Sequence, residues 1–133
     1  MQSKSRLMLL LVFWPLVASA QSGCRDLQRE RFRRVDESEI RKLITKESVV
    51  EKPANLHRSQ LHGEMILEVF LSSSGKVVCA SIVSGHPMAG PKVLESVTKR
   101  WRFRPFKDRG KAVASVGRLT VPFDYRQSGH APQ

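Results

Sequence analysis

The chain has 133 residues, of which 41% are hydrophobic and 26% are charged. This length predicts one small domain with appendages and excludes a large multidomain assembly. The formal net charge of +11, from 23 basic and 12 acidic residues, favours anionic surroundings such as lipid head groups, acidic polymers or nucleic acid.

The first twenty residues have the pattern of an export signal. A basic start (Lys4 and Arg6) precedes an apolar run, and the small residues at 18–20 form a site that signal peptidase recognises. We therefore expect residues 1–20 to be a signal peptide and the mature chain to lie in the periplasm. The alternative is a membrane-anchored chain, but residues 7–20 are only fourteen in number, whereas a spanning helix needs roughly 20.

Export changes the expected partners. Loss of the signal peptide removes two basic residues, so 21 basic residues remain against 12 acidic ones and the net charge is +9. Trp101, Phe103 and Phe106 alternate with basic residues, a pattern that can stack on and neutralise nucleic acid. In an exported chain the same pattern favours a core role for the rings, with the basic side chains outside. No nucleic-acid partner is expected, and contact with an anionic surface stays open.

Cys24 and Cys79 are the two cysteines of the chain. In an oxidising compartment they are candidates for a disulfide that ties the N-terminal segment to the domain. A second interpretation makes Cys24 a lipidated N-terminus, although Gln21 stands where a lipoprotein signal has leucine. A third leaves both thiols free.

Residues 21–47 are dense in charge of both signs and predict a solvated N-terminal segment with one short helix. Ser38 is a suitable cap for this helix. An apolar stripe follows at helical spacing: Ile40, Leu43 and Ile44. A second short helix is expected between Pro53 and Leu61, and residues 127–133 are expected to form a disordered tail.

A strand with a two-residue period begins at Gly63. Its inner face is apolar: Met65, Leu67, Val69 and Leu71. Residues 72–75 predict a tight turn, in which Gly75 supplies the positive φ. A returning strand is then expected over residues 77–83.

The remaining predicted elements are a helix and a long last strand. Pro91 opens the helix, and Pro105 forbids its continuation. Residues 113–125 predict the strand. Because a tight hairpin leaves no room between its two strands, this last strand must add outside them as an edge strand. Pro122 supports that position, since proline lacks the N–H that a central strand donates.

Several sequence blocks, read together, resemble the TonB C-terminal family over about residues 48–126. The blocks are Gly63-Glu64-Met65-Ile66-Leu67, Ser74-Gly75-Lys76-Val77, Val83-Ser84-Gly85-His86-Pro87, Leu94-Glu95-Ser96-Val97, Trp101-Arg102-Phe103-Arg104-Pro105, Gly110-Lys111-Ala112-Val113 and Val121-Pro122-Phe123-Asp124-Tyr125. Within them, six residues form the structural signature: Gly63, Gly75, Gly85, Trp101, Phe103 and Pro105.

The resemblance implies an α+β fold, with a three-stranded antiparallel sheet and two or three short helices packed on it. It also implies a binding function. TonB links the motor proteins ExbB and ExbD to outer-membrane receptors, and its C-terminal domain captures an extended receptor peptide on its last strand. Carried onto this sequence, the partner-binding strand has these candidate residues: Val116, Arg118, Thr120, Phe123 and Tyr125.

The chain also departs from a full TonB transducer. The family's transducers have an uncleaved membrane helix and a proline-rich spacer, whereas a cleaved signal peptide would leave this chain with neither. Lys52-Pro53 stands where the family has Tyr-Pro. A link to ExbB and ExbD would then act in trans. The alternative function is an envelope scaffold of the same fold, without energy transduction and held by its basic surface. A homodimer through the edge strand also remains open.

No enzymatic activity or cofactor is expected. The sequence has no nucleophile elbow, no paired carboxylates with a positioned partner and no phosphate-binding glycine loop. The four histidines, whose spacing does not indicate a metal site, are His57, His62, His86 and His130.

Overall fold

A computed structural model describes residues 24–56 and 60–126 of the chain. The strands are β1 (Arg33–Arg34), β2 (Ile44–Lys46), β3 (His62–Leu71), β4 (Val77–Ser84), β5 (Arg102–Phe103), β6 (Phe106–Asp108), β7 (Lys111–Val113) and β8 (Ser115–Asp124). The helices are α1 (Glu37–Leu43) and α2 (Gly90–Glu95). One π-helical turn (Ser96–Arg100) follows α2, and single 3₁₀ turns lie at Cys24–Asp26, Arg29–Arg31 and Ala54–Leu56.

The main sheet has the strand order β1-β8-β3-β4. β3 and β4 form the expected antiparallel hairpin, and β8 pairs antiparallel with the other side of β3 in an unbroken register from His62↔Asp124 to Leu71↔Ser115. Two further pairs, β2 with β5 and β6 with β7, form separate two-stranded sheets.

The expectation of a three-stranded antiparallel sheet was wrong, because the sheet has four strands and is mixed. β8 adds outside the hairpin as expected, but β1 then pairs with it in parallel, through Arg33↔Ser115 and Arg34↔Val116. β8 is therefore not an edge strand along its whole length. Two adjacent arginines carry no two-residue hydrophobic period, so the sequence gives no strand signal at β1.

The odd-numbered residues of β3 and β8 form one face of the sheet and the main core. The fully buried members from these strands are Met65, Leu67, Val69, Leu71, Leu119 and Val121. α2 and the π-helical turn cover this face through Val93 and Val97. Trp101 and Phe103 belong to the same core, and this confirms the core role expected for these two rings.

The opposite face of the sheet carries a second, smaller core. Phe70 and Val116 are buried there against Cys24 and Phe32, and the Phe32 and Phe70 rings meet edge to face with centroids 5.1 Å apart. The charged N-terminal segment is therefore packed on the sheet over part of its length. A disulfide between Cys24 and Cys79, with Cα atoms 5.7 Å apart, fixes its start to β4.

Several helix and strand boundaries in the structure differ from the predicted ones. α1 begins at Glu37, so Asp36 and not Ser38 takes the N-cap position. α2 begins one residue before Pro91 and runs into the π-helical turn, where the Trp101 N–H donates to the Ser96 carbonyl at 3.0 Å. The predicted last strand is divided between β7 and β8.

Some expectations fall outside the described residues. They concern the signal peptide, the tail at 127–133, and the histidines at 57 and 130. Within the described ranges, no helix has the length and apolar character needed to cross a membrane.

Candidate functional site: the outer edge of β8

The edge of β8 that faces away from β3 is the candidate binding surface. In an antiparallel pair, alternate residues direct both backbone groups toward or away from the partner strand. On β8 the even-numbered residues point away, since the Val116 carbonyl accepts the Val35 N–H at 2.9 Å. Pro122 occupies one of these outward positions, so its missing N–H costs the β3–β8 ladder nothing.

The first half of this edge is covered by the chain itself. β1 lies along its start, where the Arg33 N–H donates to the Ala114 carbonyl at 2.8 Å. Further along, the Glu37 carboxylate accepts the Thr120 N–H at 2.8 Å. Arg41 Nη2 donates to the Thr120 carbonyl at 2.5 Å. The two side chains of α1 thus satisfy one residue of β8 as a neighbouring strand would.

Glu37 is ionised in this arrangement. The hydrogen bond from the Thr120 N–H is the main cause that lowers the pKa of Glu37, with Arg41 adding to it and partial burial opposing it. A carboxylate in this position accepts from both Thr120 and Arg41, whereas a protonated one loses part of that capacity.

We expect the contact between α1 and β8 to weaken in acid. Because the folded-state pKa of Glu37 lies below its unfolded value, the stabilisation is complete at neutral pH and is lost as the pH falls through the folded-state pKa. The protection factor of the Thr120 amide, which is its intrinsic exchange rate divided by its observed rate at the same pH, should then fall. Hydrogen exchange as a function of pH measures this, and a Glu37→Gln variant should exchange faster already at neutral pH. An equal rate in both proteins at neutral pH would contradict the assignment.

The second half of the edge, Val121–Tyr125, is termed the free edge, and its last carbonyl, on Tyr125, accepts a hydrogen bond from Lys52 Nζ at 2.7 Å. Among the described residues no strand pairs with it on its outer side. It borders a groove of about 670 Å³, termed the β8 groove. The residues that line it are Arg41, Glu47, Ser48, Val49, Val50, His62, Gly63, Glu64, Trp101, Pro122, Phe123, Asp124 and Arg126.

The opposite wall of the groove is the segment Glu47–Val50, termed the wall segment. Its central carbonyl, on Ser48, accepts hydrogen bonds from the Trp101 indole at 3.0 Å and from the Ser96 hydroxyl at 3.3 Å. Just beyond, Glu51 and Arg100 form an exposed ion pair at 2.6 Å. The two hydrogen bonds to Ser48 thus anchor the wall segment to Trp101 and to the π-helical turn.

The wall segment presents one apolar side chain to solvent. Val49 is 86% exposed, although the carbonyl of the preceding residue is anchored. An exposed valine beside a Trp101 ring and the Pro122 ring gives the groove an apolar floor and rim. Small grooves of this kind gain ligand affinity from apolar contact and gain orientation from a few polar groups.

Charges of both signs surround the groove. Arg126 Nη2 contacts Asp124 Oδ2 at 2.7 Å, and this hydrogen-bonded pair lowers the pKa of Asp124. Glu47 and Glu64 line the groove together with Arg41. The local charge is therefore mixed, and it contrasts with the strongly basic chain as a whole.

The five predicted partner-binding residues have different locations. Val116 lies beneath the N-terminal segment, and Phe123 and Tyr125 point into the main core, with ring centroids 5.3 Å apart. Arg118 is exposed, and Thr120 is held by α1. Phe123 also lines the groove. The prediction identified the correct strand but could not separate its core face from its outward backbone.

The structural signature residues lie at both ends of the β3–β4 hairpin: Gly75 meets Phe103 and Pro105 at the turn, whereas Gly63 and Gly85 lie at the open end. Gly75 has φ +83°, and a Cβ there would lie 2.7 Å from the Phe103 carbonyl oxygen and 2.9 Å from the Pro105 nitrogen. Gly85 likewise lies against Met65, and Gly63 lies near the Phe123 ring. These residues position the sheet, and Trp101 additionally anchors the groove wall.

The Tyr125 hydroxyl is buried. Among the described residues it has no hydrogen-bond partner, and burial raises the pKa of Tyr125. The residue is held in the core by its ring, so it does not offer its hydroxyl to a partner at the surface.

The two cysteines and His86 have structural roles. The disulfide places the Cys24 sulfur in a bond to Cys79, so this sulfur cannot also carry a lipid thioether. The His86 ring accepts the Met88 N–H at 3.2 Å and orders its turn. In the described part of the chain, no three His, Cys, Asp or Glu side chains converge as metal ligands.

The groove residues that the sequence did not reveal lie in the wall segment. Glu47-Ser48-Val49-Val50 has neither a helical nor a strand period, and its position depends on hydrogen bonds to Trp101 and Ser96 about fifty residues away in sequence. The sequence offers there only a pair of valines, Val49 and Val50, within a charged stretch.

Comparison with known proteins gives one assignment. No curated protein matches the chain. A family model, described as the Gram-negative bacterial TonB protein C-terminal, matches residues 53–126, which is more than half of the sequence and includes β3 to β8. The disulfide-linked N-terminal segment, α1 and the wall segment precede the matched range. The chain belongs to the family of TonB C-terminal domains, which make protein–protein contacts in the cell envelope.

Proposed function

We propose that this chain is a periplasmic binding module that captures an extended segment of an outer-membrane receptor or another envelope protein by β-strand addition. The free edge of β8, open beside the β8 groove, carries this proposal. Membership of the TonB C-terminal family supports it. The proposal places the mature chain in the periplasm after signal-peptide cleavage, with ExbB and ExbD acting in trans, and it assigns no catalytic role.

Backbone pairing alone would not hold the partner. The free edge offers about three outward hydrogen bonds, because Pro122 supplies only a carbonyl, and these would contribute about 3 kcal/mol. Ordering about five residues of peptide costs about 5 to 10 kcal/mol. The apolar groove must therefore supply the difference, through contacts with Val49, Trp101 and Pro122.

A modest affinity follows from this balance. Ser48 in the wall segment is already hydrogen-bonded to Trp101 and Ser96, so the domain itself loses little freedom on binding. The entropic cost of ordering falls on the peptide. Because this cost offsets much of the interaction energy, the net affinity is low and the complex dissociates readily. Such behaviour suits a module whose partner must be released after each transport event.

We expect Val49→Asp to weaken peptide binding about tenfold, because it places a charge on the apolar rim of the groove. The assay is a fluorescence-anisotropy titration with peptides taken from the periplasmic N-terminal segments of outer-membrane receptors. Val78→Asp is the matched control, since Val78 is also an exposed valine, 49% accessible, but lies on β4 at the other side of the sheet. Equal losses in the two variants, or a loss confined to Val78→Asp, would refute the groove as the binding site.

A second candidate function is an envelope scaffold that is held to anionic polymers or lipids. The β6–β7 hairpin favours it, because Lys107, Arg109 and Lys111 are all exposed there. Exposed charges are screened beyond about 8 Å at physiological ionic strength, so such binding should collapse as salt increases. Strand pairing in the groove should change little under the same conditions.

A further inference from the structure

We propose that the chain forms a homodimer by antiparallel pairing of β4 with β4 of a second copy. β4 lies at the opposite side of the sheet from β8, with β3 as its one neighbour among the described strands. The sequence left open a homodimer through the last strand, but β1 and α1 cover the first half of that edge. The β4 surface is separate from the β8 groove, and the inference does not depend on the proposed function.

Exposed apolar side chains are concentrated at β4. Among the described residues, five large hydrophobic side chains are well exposed, and one of them is Val49 of the wall segment. Three others, Val78, Ile82 and Val83, lie on β4 and are between 42% and 49% exposed. The last, Met88, lies in the loop that follows the strand. Apolar side chains that gather in this way mark a surface at which another molecule binds.

The backbone on the outer side of β4 is open. Because the even-numbered residues of β8 point outward, the odd-numbered residues of β8 and β3 bond to each other, and the even-numbered residues of β3 face β4. Glu68 pairs with Ser81, so Ser81 faces β3, whereas Ala80 and Ile82 direct their backbone groups outward. In the described part of the chain, no further strand or loop hydrogen-bonds these outward groups.

β4 lacks the residues that usually protect a strand edge from pairing. None of its eight residues is charged and none is proline, whereas β8 has Pro122 at an outward position. Two β-bulges, at Val78 and Val83, interrupt β4 but leave the regular segment Cys79–Ile82 between them. Edge pairing is therefore limited to a short segment, and it is not blocked.

Charge favours a second copy as the partner of this edge. The net charge of the chain is +11, so two copies repel each other across surfaces that carry the basic residues. When the uncharged β4 pairs with itself, no like charges lie opposite each other. A two-fold axis at Ser81 pairs Ala80 of each copy with Ile82 of the other, which gives about four backbone hydrogen bonds. The same axis places Val78 and Val83 of both copies inside the contact.

The dimer is expected to be weak and to leave the binding groove accessible. Stable interfaces bury more than about 1,000 Å², and pairing through one short regular segment covers less than this. We expect a dissociation constant of about 10 to 100 µM. The pairing joins two four-stranded sheets edge to edge, with the two β8 strands toward the outer ends. Both β8 grooves therefore remain open in the dimer.

Sedimentation velocity of the disulfide-intact chain, over concentrations from about 5 to about 500 µM, brackets the expected dissociation constant. Ala80→Pro removes an outward N–H without breaking the ladder to β3, and Val83→Lys places a positive charge in each half of the contact. Each should weaken dimerisation at least about tenfold. Val49→Lys is the matched control, because it adds the same charge at an exposed valine of the wall segment. It should dimerise as the wild-type chain does.

A cysteine crosslink tests the register. At the two-fold axis, the two Ser81 residues form a non-hydrogen-bonded pair with Cα atoms about 4.5 Å apart, which suits a disulfide. Under mild oxidation, Ser81→Cys should give a covalent dimer on a non-reducing gel. Ser73→Cys, at an exposed position in the hairpin turn, is the control and should stay monomeric.

Three results would overturn the proposal. The first is a wild-type chain that stays monomeric over the whole concentration range. The second is a dimer that persists in both Ala80→Pro and Val83→Lys, because the association would then use another surface, such as β8. The third is equal crosslinking of the two cysteine variants. Hydrogen-exchange protection along β3 and β8 reports that each variant is folded, so loss of the dimer can be separated from loss of the fold.

Discussion

Removal of the disulfide by Cys24→Ser/Cys79→Ser is expected to lower the free energy of unfolding by about 4 kcal/mol. The two cysteines are 55 residues apart in sequence, and closing a loop of this length restricts the unfolded chain by about that amount in the chain-entropy model. For a domain of this size the melting temperature should fall by about 15 °C or more. Thermal or chemical denaturation under non-reducing conditions measures the loss.

A dithiol reductant provides the control for this experiment. The wild-type chain and the double variant should have nearly the same stability once the bond is reduced, since both then lack the crosslink. A difference that persists in reductant would show that the serines disturb packing around Cys24, which is only 4% exposed. A loss below about 1 kcal/mol without reductant would contradict a crosslink that closes this loop in the native protein.

The second large effect is expected from Gly75→Ala, which should lower the free energy of unfolding by about 3 kcal/mol. About 1 to 2 kcal/mol comes from placing a side chain at φ +83°. The rest comes from the new Cβ, which would lie 2.7 Å from the Phe103 carbonyl oxygen. The Phe103 oxygen is a backbone atom and cannot rotate away as a side chain would. The clash is therefore relieved only if the hairpin turn separates from the Phe103–Pro105 segment.

Gly110→Ala is the matched control for this variant. Gly110 has φ +77°, and a Cβ there would have nothing within 4 Å. It should therefore show only the backbone cost of about 1 to 2 kcal/mol. Denaturant midpoints of the two variants, measured side by side, separate conformational strain from collision. If the two alanine substitutions lower the free energy of unfolding equally, the close approach of the turn to Phe103 is not present in solution.

The periodic elements could be predicted from the sequence, and the contacts that define the site could not. The alternation at Met65, Leu67 and Val69 was sufficient to locate β3, and the serine–glycine turn was sufficient for the hairpin. Pro122 correctly indicated an edge strand at its own position, although β1 covers the start of β8. In each case the signal is local, because neighbouring residues carry the period or the turn geometry.

The covering of β8 depends on long-range side-chain contacts. Glu37 reaches Thr120 across 83 positions, and nothing in a charged helix indicates that one carboxylate will satisfy a strand's N–H. β1 consists of two arginines and has no apolar pattern. The number of strands was therefore underestimated, and the length of the open edge was overestimated.

The groove was missed for a related reason. Two long-range hydrogen bonds, from the Trp101 indole and the Ser96 hydroxyl to the Ser48 carbonyl, set the position of the wall segment. Trp101 was correctly expected in the core, but its N–H was not assigned a partner. A buried indole usually finds an acceptor, so a search for that acceptor among irregular segments would have been the most direct route to the groove.

The most direct test of the binding account is an NMR titration of the isotope-labelled, disulfide-intact chain with a receptor-derived peptide. The account predicts that the largest amide shifts fall on the free edge, Val121–Tyr125, and on the wall segment, Glu47–Val50, with β4 unchanged. Shifts confined to β4 or to the loops, with none along β8, would contradict it.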